Sequence, residues 1–87
     1  MKFKTKKGIE ITITPKPNGK GWTVARPTGS LVTVSAQLVE RTRKRILQGE
    51  EVPFRSINYT VAIESAVWHL LRDVAKADNV RRVYVAI

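Results

Sequence analysis

The 87-residue sequence contains no cysteine, so disulfide bonds and thiolate metal sites are excluded. Its single histidine, His69, has no cluster of aspartates or glutamates beside it, so we expect no metal site and no cofactor. No apolar run approaches the roughly 20 residues that a transmembrane helix needs. These absences favour a cytoplasmic protein that does not enter a membrane.

The sequence contains the residue types of a catalytic triad but lacks the surrounding features that a catalytic site needs. Ser65, His69 and Asp73 follow one another at four-residue spacing, so one helix face carries the residue types of a catalytic triad. Side chains along one exposed helix are flexible and solvated, however, and no glycine-rich turn presents Ser65 as a nucleophile. The sequence therefore predicts a protein that is not an enzyme.

Negative charge is scarce. The chain has 7 acidic residues against 16 basic ones, for a formal net charge of +9 at pH 7. Residues 1–27 contain seven of the basic residues but only one acidic residue, Glu10. Such an excess favours the binding of phosphate groups and indicates a nucleic-acid partner, with an acidic protein surface as the alternative. The basic residues expected to contact nucleic acid are Lys2, Lys4, Lys6, Lys7, Lys20, Arg26 and Arg82.

Alternating residues predict antiparallel strands in the first part of the chain. Ile9, Ile11 and Ile13 alternate with polar residues, as on the buried face of a strand. The segment 15–21 contains Asn18-Gly19, a pair that suits a tight hairpin turn. We therefore predict strands over residues 2–5, 8–14 and 22–26, which together form a basic β-hairpin extension over residues 1–30.

A strand and two helices are predicted next, over residues 31–76. In the strand 31–36, Val32 and Val34 face one way while Thr33 and Ser35 face the other. Helical spacing of apolar residues then continues to Gly49, and a second helix begins at Thr60, whose side chain can cap it. The apolar stripe of this second helix is too wide for one small domain to cover easily, so we expect a second subunit to cover part of it.

Residues 80–87 alternate again and predict a closing strand. The fold class is therefore α+β, with N-terminal antiparallel strands, a strand-helix-loop-helix core and a C-terminal strand. With only 87 residues, the chain is expected to form a single domain.

Residues 31–71, about half of the chain, resemble the ribbon-helix-helix family of DNA-binding proteins, which includes the methionine and Arc repressors. The resemblance implies a homodimer in which the strand pairs with its twin and enters the major groove. It also implies that Thr33 and Ser35 face base edges, and that Thr60 helps to hold a phosphate at the start of the second helix. The predicted dimer interface comprises Val32, Val34, Ile63, Ala66, Trp68 and Leu70.

The leading hypothesis is a non-enzymatic, dimeric DNA-binding protein that regulates transcription or assembles on a DNA site, with duplex DNA favoured as the partner. One alternative is a monomeric sheet protein that binds RNA or single-stranded DNA by stacking bases on Trp22 and Tyr84. Another is a small protein-interaction or inhibitor module from a mobile element, whose positive charge meets an acidic partner.

Overall fold

The structure is a computed structural model that describes residues 1–5, 7–57 and 61–87. Within these residues the chain forms seven strands, two α-helices and one short 3-10 helix. In chain order the elements are β1 (Lys2–Lys4), β2 (Glu10–Pro15), β3 (Gly21–Ala25), β4 (Leu31–Ser35), α1 (Ala36–Leu47), β5 (Val52–Pro53), the 3-10 helix (Phe54–Ile57), α2 (Val61–Leu70), β6 (Ala75–Asp78) and β7 (Val83–Ala86).

The first four strands form an antiparallel sheet in the order β1-β2-β3-β4, which we call the first sheet. Its residues alternate as the sequence predicts: Ile11 and Ile13 are buried and lie opposite Phe3 and Val24 on the neighbouring strands. The turn between β2 and β3 places Gly19 at φ +71°, a conformation that glycine adopts readily. We call the side that carries Ile11 and Ile13 the inner face, and the opposite side the outer face.

The remaining strands form a second, smaller sheet in the order β5-β7-β6. β7 lies in the middle, so that Tyr84 is opposite Val52 on one side and Ala77 on the other. α1 joins the two sheets, and it begins where the Ser35 hydroxyl accepts a hydrogen bond from the Leu38 N–H at 3.1 Å. This is a standard N-terminal helix cap.

α2 lies between the two sheets. Its residues Ala66 and Val67 are fully buried in a core shared with the inner face of the first sheet. On its other sides, the Trp68 ring stacks on Tyr84 of β7 at 4.7 Å between ring centroids, and His69 stacks on Phe3 of β1 at 4.3 Å. A helix that is apolar on most sides is stabilised in this position because elements on several of its sides pack against it.

The chain is α+β, but the predicted ribbon-helix-helix arrangement is wrong. The strand 31–35 is not a lone ribbon: it is the fourth strand of the first sheet, and Thr33 lies directly opposite Thr23 of β3. Side chains of α2 pack against the first sheet and against Tyr84 of the second sheet in the same chain, so the width of its apolar stripe does not by itself require a second subunit. Two of the short strands, β5 and β6, have no counterpart in the sequence prediction.

The residues assigned to the dimer interface lie in or against this core. Val34 and Ala66 are 1% and 0% exposed, so these two side chains have almost no surface left for a partner to contact. The other four are partly buried and pack against the same core: Val32, Ile63, Trp68 and Leu70. Among the described residues, no helix has the length and apolar character needed to cross a membrane.

Candidate nucleic-acid interface

The outer face of the first sheet is open and mostly polar, with Ala25 and Leu31 as apolar residues at one end, because the core with both helices lies on the inner face. Thr14, Thr23 and Thr33 lie directly opposite one another on β2, β3 and β4. Neighbouring strands are about 4.8 Å apart, so these three side chains form a short row across the sheet. Each hydroxyl can donate one hydrogen bond and accept others.

Five lysines lie on the first sheet or in its turns. Lys2 and Lys4 lie on β1 with their side chains on the outer face, since the intervening Phe3 faces inward. Lys7 follows in the turn between β1 and β2, and Lys16 and Lys20 lie in the turn between β2 and β3. The basic sheet surface, as we call it, consists of these five lysines together with Thr14, Thr23 and Thr33.

Carboxylates do not neutralise most of this surface. The Lys2 ammonium lies 3.9 Å from Glu10, and both side chains are more than half exposed. No carboxylate of the described chain lies within 4.0 Å of Lys4, Lys7, Lys16 or Lys20. The same holds for Arg26 at the end of β3, which borders a shallow depression lined also by Glu10 and Thr12.

The other acidic residues are engaged elsewhere in the structure. Arg43 pairs with both Glu40 and Asp73 on one side of α1. A hydrogen bond from Arg45 lowers the pKa of the Glu50 carboxyl, and backbone and side-chain hydrogen bonds from Arg81 do the same for Asp78. Composition places most of the excess positive charge on the first sheet. Outside that sheet, six described basic side chains also have no carboxylate within 4.0 Å: Arg41, Lys44, Arg55, Arg72, Lys76 and Arg82. The remaining acidic partnerships join Glu51 to Arg81 and Glu64 to the Tyr84 hydroxyl.

The structure brings only some of the predicted contact residues to this surface. Thr33 is exposed on the outer face, as predicted. The Ser35 hydroxyl accepts the capping hydrogen bond from Leu38 N–H, which holds it at the start of α1. Arg82 lies in the turn between β6 and β7, where its guanidinium is 5.7 Å from the centre of the Phe54 ring. Lys6 and Thr60, both predicted to contact nucleic acid, lie outside the described residues.

Aromatic rings are directed away from the outer face. Trp22 lies opposite Val34 and packs against the core, while Tyr84 is only 4% exposed. The Tyr84 hydroxyl donates a 3.1 Å hydrogen bond to Glu64, and burial is the main cause that raises the pKa of this phenol. In the described part of the first sheet, the outer face therefore offers no ring on which a base can stack.

The residues of the candidate triad are not assembled into a catalytic site. His69 stacks on Phe3, and the carboxylate of Asp73 accepts a 3.1 Å hydrogen bond from Arg43. Burial lowers the pKa of His69, and the positive charges of Arg72 and the N-terminal amine lower it further. Within the described residues, no hydrogen bond joins Ser65, His69 and Asp73, and no group of three potential metal ligands occurs.

The geometry of the described residues defines a small α+β protein with an open, cationic sheet face. Comparisons with protein-family models, with curated proteins and with solved structures find no match. The sequence prediction did not include Lys16, Thr14 or Thr23 in the site. The sequence feature that could have identified Thr14 and Thr23 is their alternation with buried residues, which places each threonine on the solvent side of its strand.

Proposed function

We propose that this protein is a non-enzymatic nucleic-acid-binding protein that holds duplex DNA against the basic sheet surface. The observation that carries the proposal is a group of lysines, on an open sheet and in its turns, that have no carboxylate partner among the described residues: Lys4, Lys7, Lys16 and Lys20. Such a group attracts a polyanion, and its binding to phosphates releases counterions into solution. Cytoplasmic regulation of transcription, or assembly on a DNA site, is the role we propose for this binding.

The chemistry of the surface suits the DNA backbone better than base edges. Lysine ammonium groups and threonine hydroxyls both donate hydrogen bonds to phosphate oxygens. Thr14, Thr23 and Thr33 are short and lie in one row, so they reach outward less than the arginine, asparagine or glutamine side chains that usually read bases. Binding through this surface is therefore expected to be strong at low salt and weakly dependent on sequence.

The positions of the aromatic rings favour a duplex over a single strand. Proteins that bind single strands without sequence preference typically stack bases on exposed aromatic rings. Trp22 packs inward and Tyr84 is buried, so neither side chain of the described structure supplies that platform. A duplex needs no such platform, because its phosphates are exposed on the outside of paired strands.

Neutralisation of matched sets of basic residues tests the proposal. One variant carries Lys4→Gln, Lys7→Gln and Lys20→Gln, and the control carries Arg55→Gln, Arg72→Gln and Lys76→Gln. The control residues are equally exposed and unpaired within the described chain, but they lie outside the first sheet. Both variants lose three positive charges, so a general effect of net charge is the same in each.

Fluorescence anisotropy with duplex DNA, single-stranded DNA and double-stranded RNA, at several salt concentrations, provides the measurement. Each lost phosphate contact is expected to reduce the log-log salt slope by about 0.9, so the first variant loses about 2 to 3 units of slope. The control is expected to lose less than about 1 unit. Equal effects of the two variants, or no binding by the wild type at low salt, would contradict the proposal, and the second result would favour an acidic protein partner.

A further inference from the structure

The two sheets have four edge strands, and three of them carry features that prevent pairing with another chain. β1 is only three residues long and carries Lys2 and Lys4. β5 has two residues, one of which is Pro53, and β6 carries Lys76 and Asp78. Short length, charge and proline are the usual means by which natural edge strands avoid association.

β4 is the exception. It has five residues, Leu-Val-Thr-Val-Ser, with no charged residue and no proline. Four of the five are β-branched or large apolar residues that favour strands, and Leu31 is 67% exposed. Among the strands of the described residues, β4 is therefore the one edge without these features.

The free backbone groups of this edge can be identified from the hydrogen bonds at its two ends. Arg26 N–H donates to the Ser30 carbonyl at 3.1 Å, and Ala36 N–H donates to the Lys20 carbonyl at 3.1 Å. Hydrogen-bonded and non-hydrogen-bonded pairs alternate along an antiparallel ladder. Val32 and Val34 therefore bond to β3, while the N–H groups of Leu31, Thr33 and Ser35 point away from the sheet and, in the described structure, have no partner.

We propose that β4 pairs antiparallel with β4 of a second copy of this chain, and so joins two first sheets into one eight-stranded sheet. The three outward residues are symmetric about Thr33, so a two-fold axis beside Thr33 brings each free group of one copy opposite a free group of the other. Thr33 then faces Thr33 of its twin, and Leu31 faces Ser35. A two-fold contact of this kind uses the same patch on both subunits.

The charge distribution favours a second copy as the occupant. No like charges oppose one another along this edge, whereas pairing of β1 with its own twin brings lysines together. The cations of the basic sheet surface lie on β1 and in the turns, away from the centre of β4. This contact differs from a ribbon-helix-helix dimer, since β4 keeps β3 as its other neighbour and the helices remain in separate cores. It does not depend on the proposed DNA binding.

Two substitutions of Thr33, with one matched control, test the pairing. Thr33→Pro removes an N–H that bonds only across the proposed contact, and an edge strand tolerates proline where its N–H faces solvent. Thr33→Lys places two like charges about 5.5 Å apart at their Cα atoms. Thr14→Lys adds the same charge to the same outer face, but on β2 inside the sheet.

Analytical ultracentrifugation of the full chain from 1 µM to 1 mM, about the range in which small interfaces associate, gives the dissociation constant. We expect the wild type and Thr14→Lys to dimerise alike. Thr33→Lys weakens the dimer about fivefold, and Thr33→Pro weakens it more than about tenfold, since two hydrogen bonds are lost per dimer. Circular dichroism confirms that each variant is folded.

Amide hydrogen exchange supplies an independent readout. In the wild type, exchange at Thr33 is expected to slow as the protein concentration rises, while Val32 and Val34 stay protected at every concentration because they bond to β3. A wild type that is monomeric throughout the range would overturn the proposal. So would a dimer that Thr33→Pro leaves unchanged, or concentration-independent exchange at Thr33.

Discussion

Replacement of Gly21 by alanine is expected to destabilise the protein more than the same replacement at any other described glycine. Gly21 begins β3 at φ +143°, a backbone conformation that side chains other than hydrogen rarely permit. A Cβ atom at this position meets the Val34 carbonyl oxygen at 2.2 Å and the Ser35 Cα at 3.0 Å. Both are backbone atoms at the junction of β4 and α1, so neither can move away as a flexible side chain does.

The size of this effect follows from two contributions. The unfavourable φ costs about 1–2 kcal/mol, and the collision forces β3 and β4 apart at a point where the ladder also carries the helix cap. We expect a loss of about 3 kcal/mol or more, from a total stability of roughly 4–13 kcal/mol for a domain of this length. In urea denaturation the midpoint then falls by about 3 M or more at an unchanged slope of about 1 kcal/mol per M.

Gly19→Ala is the matched control for Gly21→Ala. Gly19 also has a positive φ, +71°, but a Cβ there meets no atom within 4 Å. Only the conformational cost of about 1 kcal/mol remains. If Gly21→Ala destabilises the protein no more than Gly19→Ala does, the close approach of β3 and β4 described here is incorrect.

Two further predictions concern Ser35, which caps α1, and His69, which stacks on Phe3. Ser35→Ala should lower the free energy of unfolding by about 1 kcal/mol in urea denaturation, because the variant lacks the hydroxyl that accepts the capping hydrogen bond from Leu38 N–H. Burial lowers the pKa of His69 in the folded state below its ordinary value near 6.5. The stability that neutral His69 contributes should therefore be fully present above about pH 6.5. It should be lost as the pH falls from about 6.5 through the lowered folded pKa. Relative to His69→Phe, the wild type should thus lose stability in mild acid; parallel pH profiles of the two proteins would contradict the assigned burial of His69.

The elements with strong local signals were predictable from the sequence. Ile11 and Ile13 alternate with polar residues, and the Asn18-Gly19 turn fixes the hairpin, so β2 and β3 follow from local rules. β6 has the sequence Ala-Lys-Ala-Asp, which carries little intrinsic preference for a strand. It exists because β7 is beside it, a tertiary influence that no local pattern contains.

The candidate site was predictable in composition but not in arrangement. The excess of lysines in residues 1–27 identified the first sheet as the basic region. The alternation of residues 31–35 correctly placed Thr33 on an exposed face, yet it did not reveal that β3 would be the neighbour of β4. Pairing between strands depends on contacts across the whole sheet, and the width of the α2 stripe was equally consistent with a second subunit and with a second sheet.

The position of α2 between the two sheets bears on how the chain folds as it is synthesised. The four strands of the first sheet are complete at Ser35, and each pairs with its neighbour through a local hairpin, so the sheet can assemble early. Its covering residues, which end at Leu71, emerge 36 positions later, or roughly 2–7 s at ordinary translation rates. During that interval the nascent chain exposes the apolar inner face beside the unprotected edge of β4. Exposed apolar surface and unpaired strand edges both promote aggregation, so this is the period in which the chain benefits most from a chaperone.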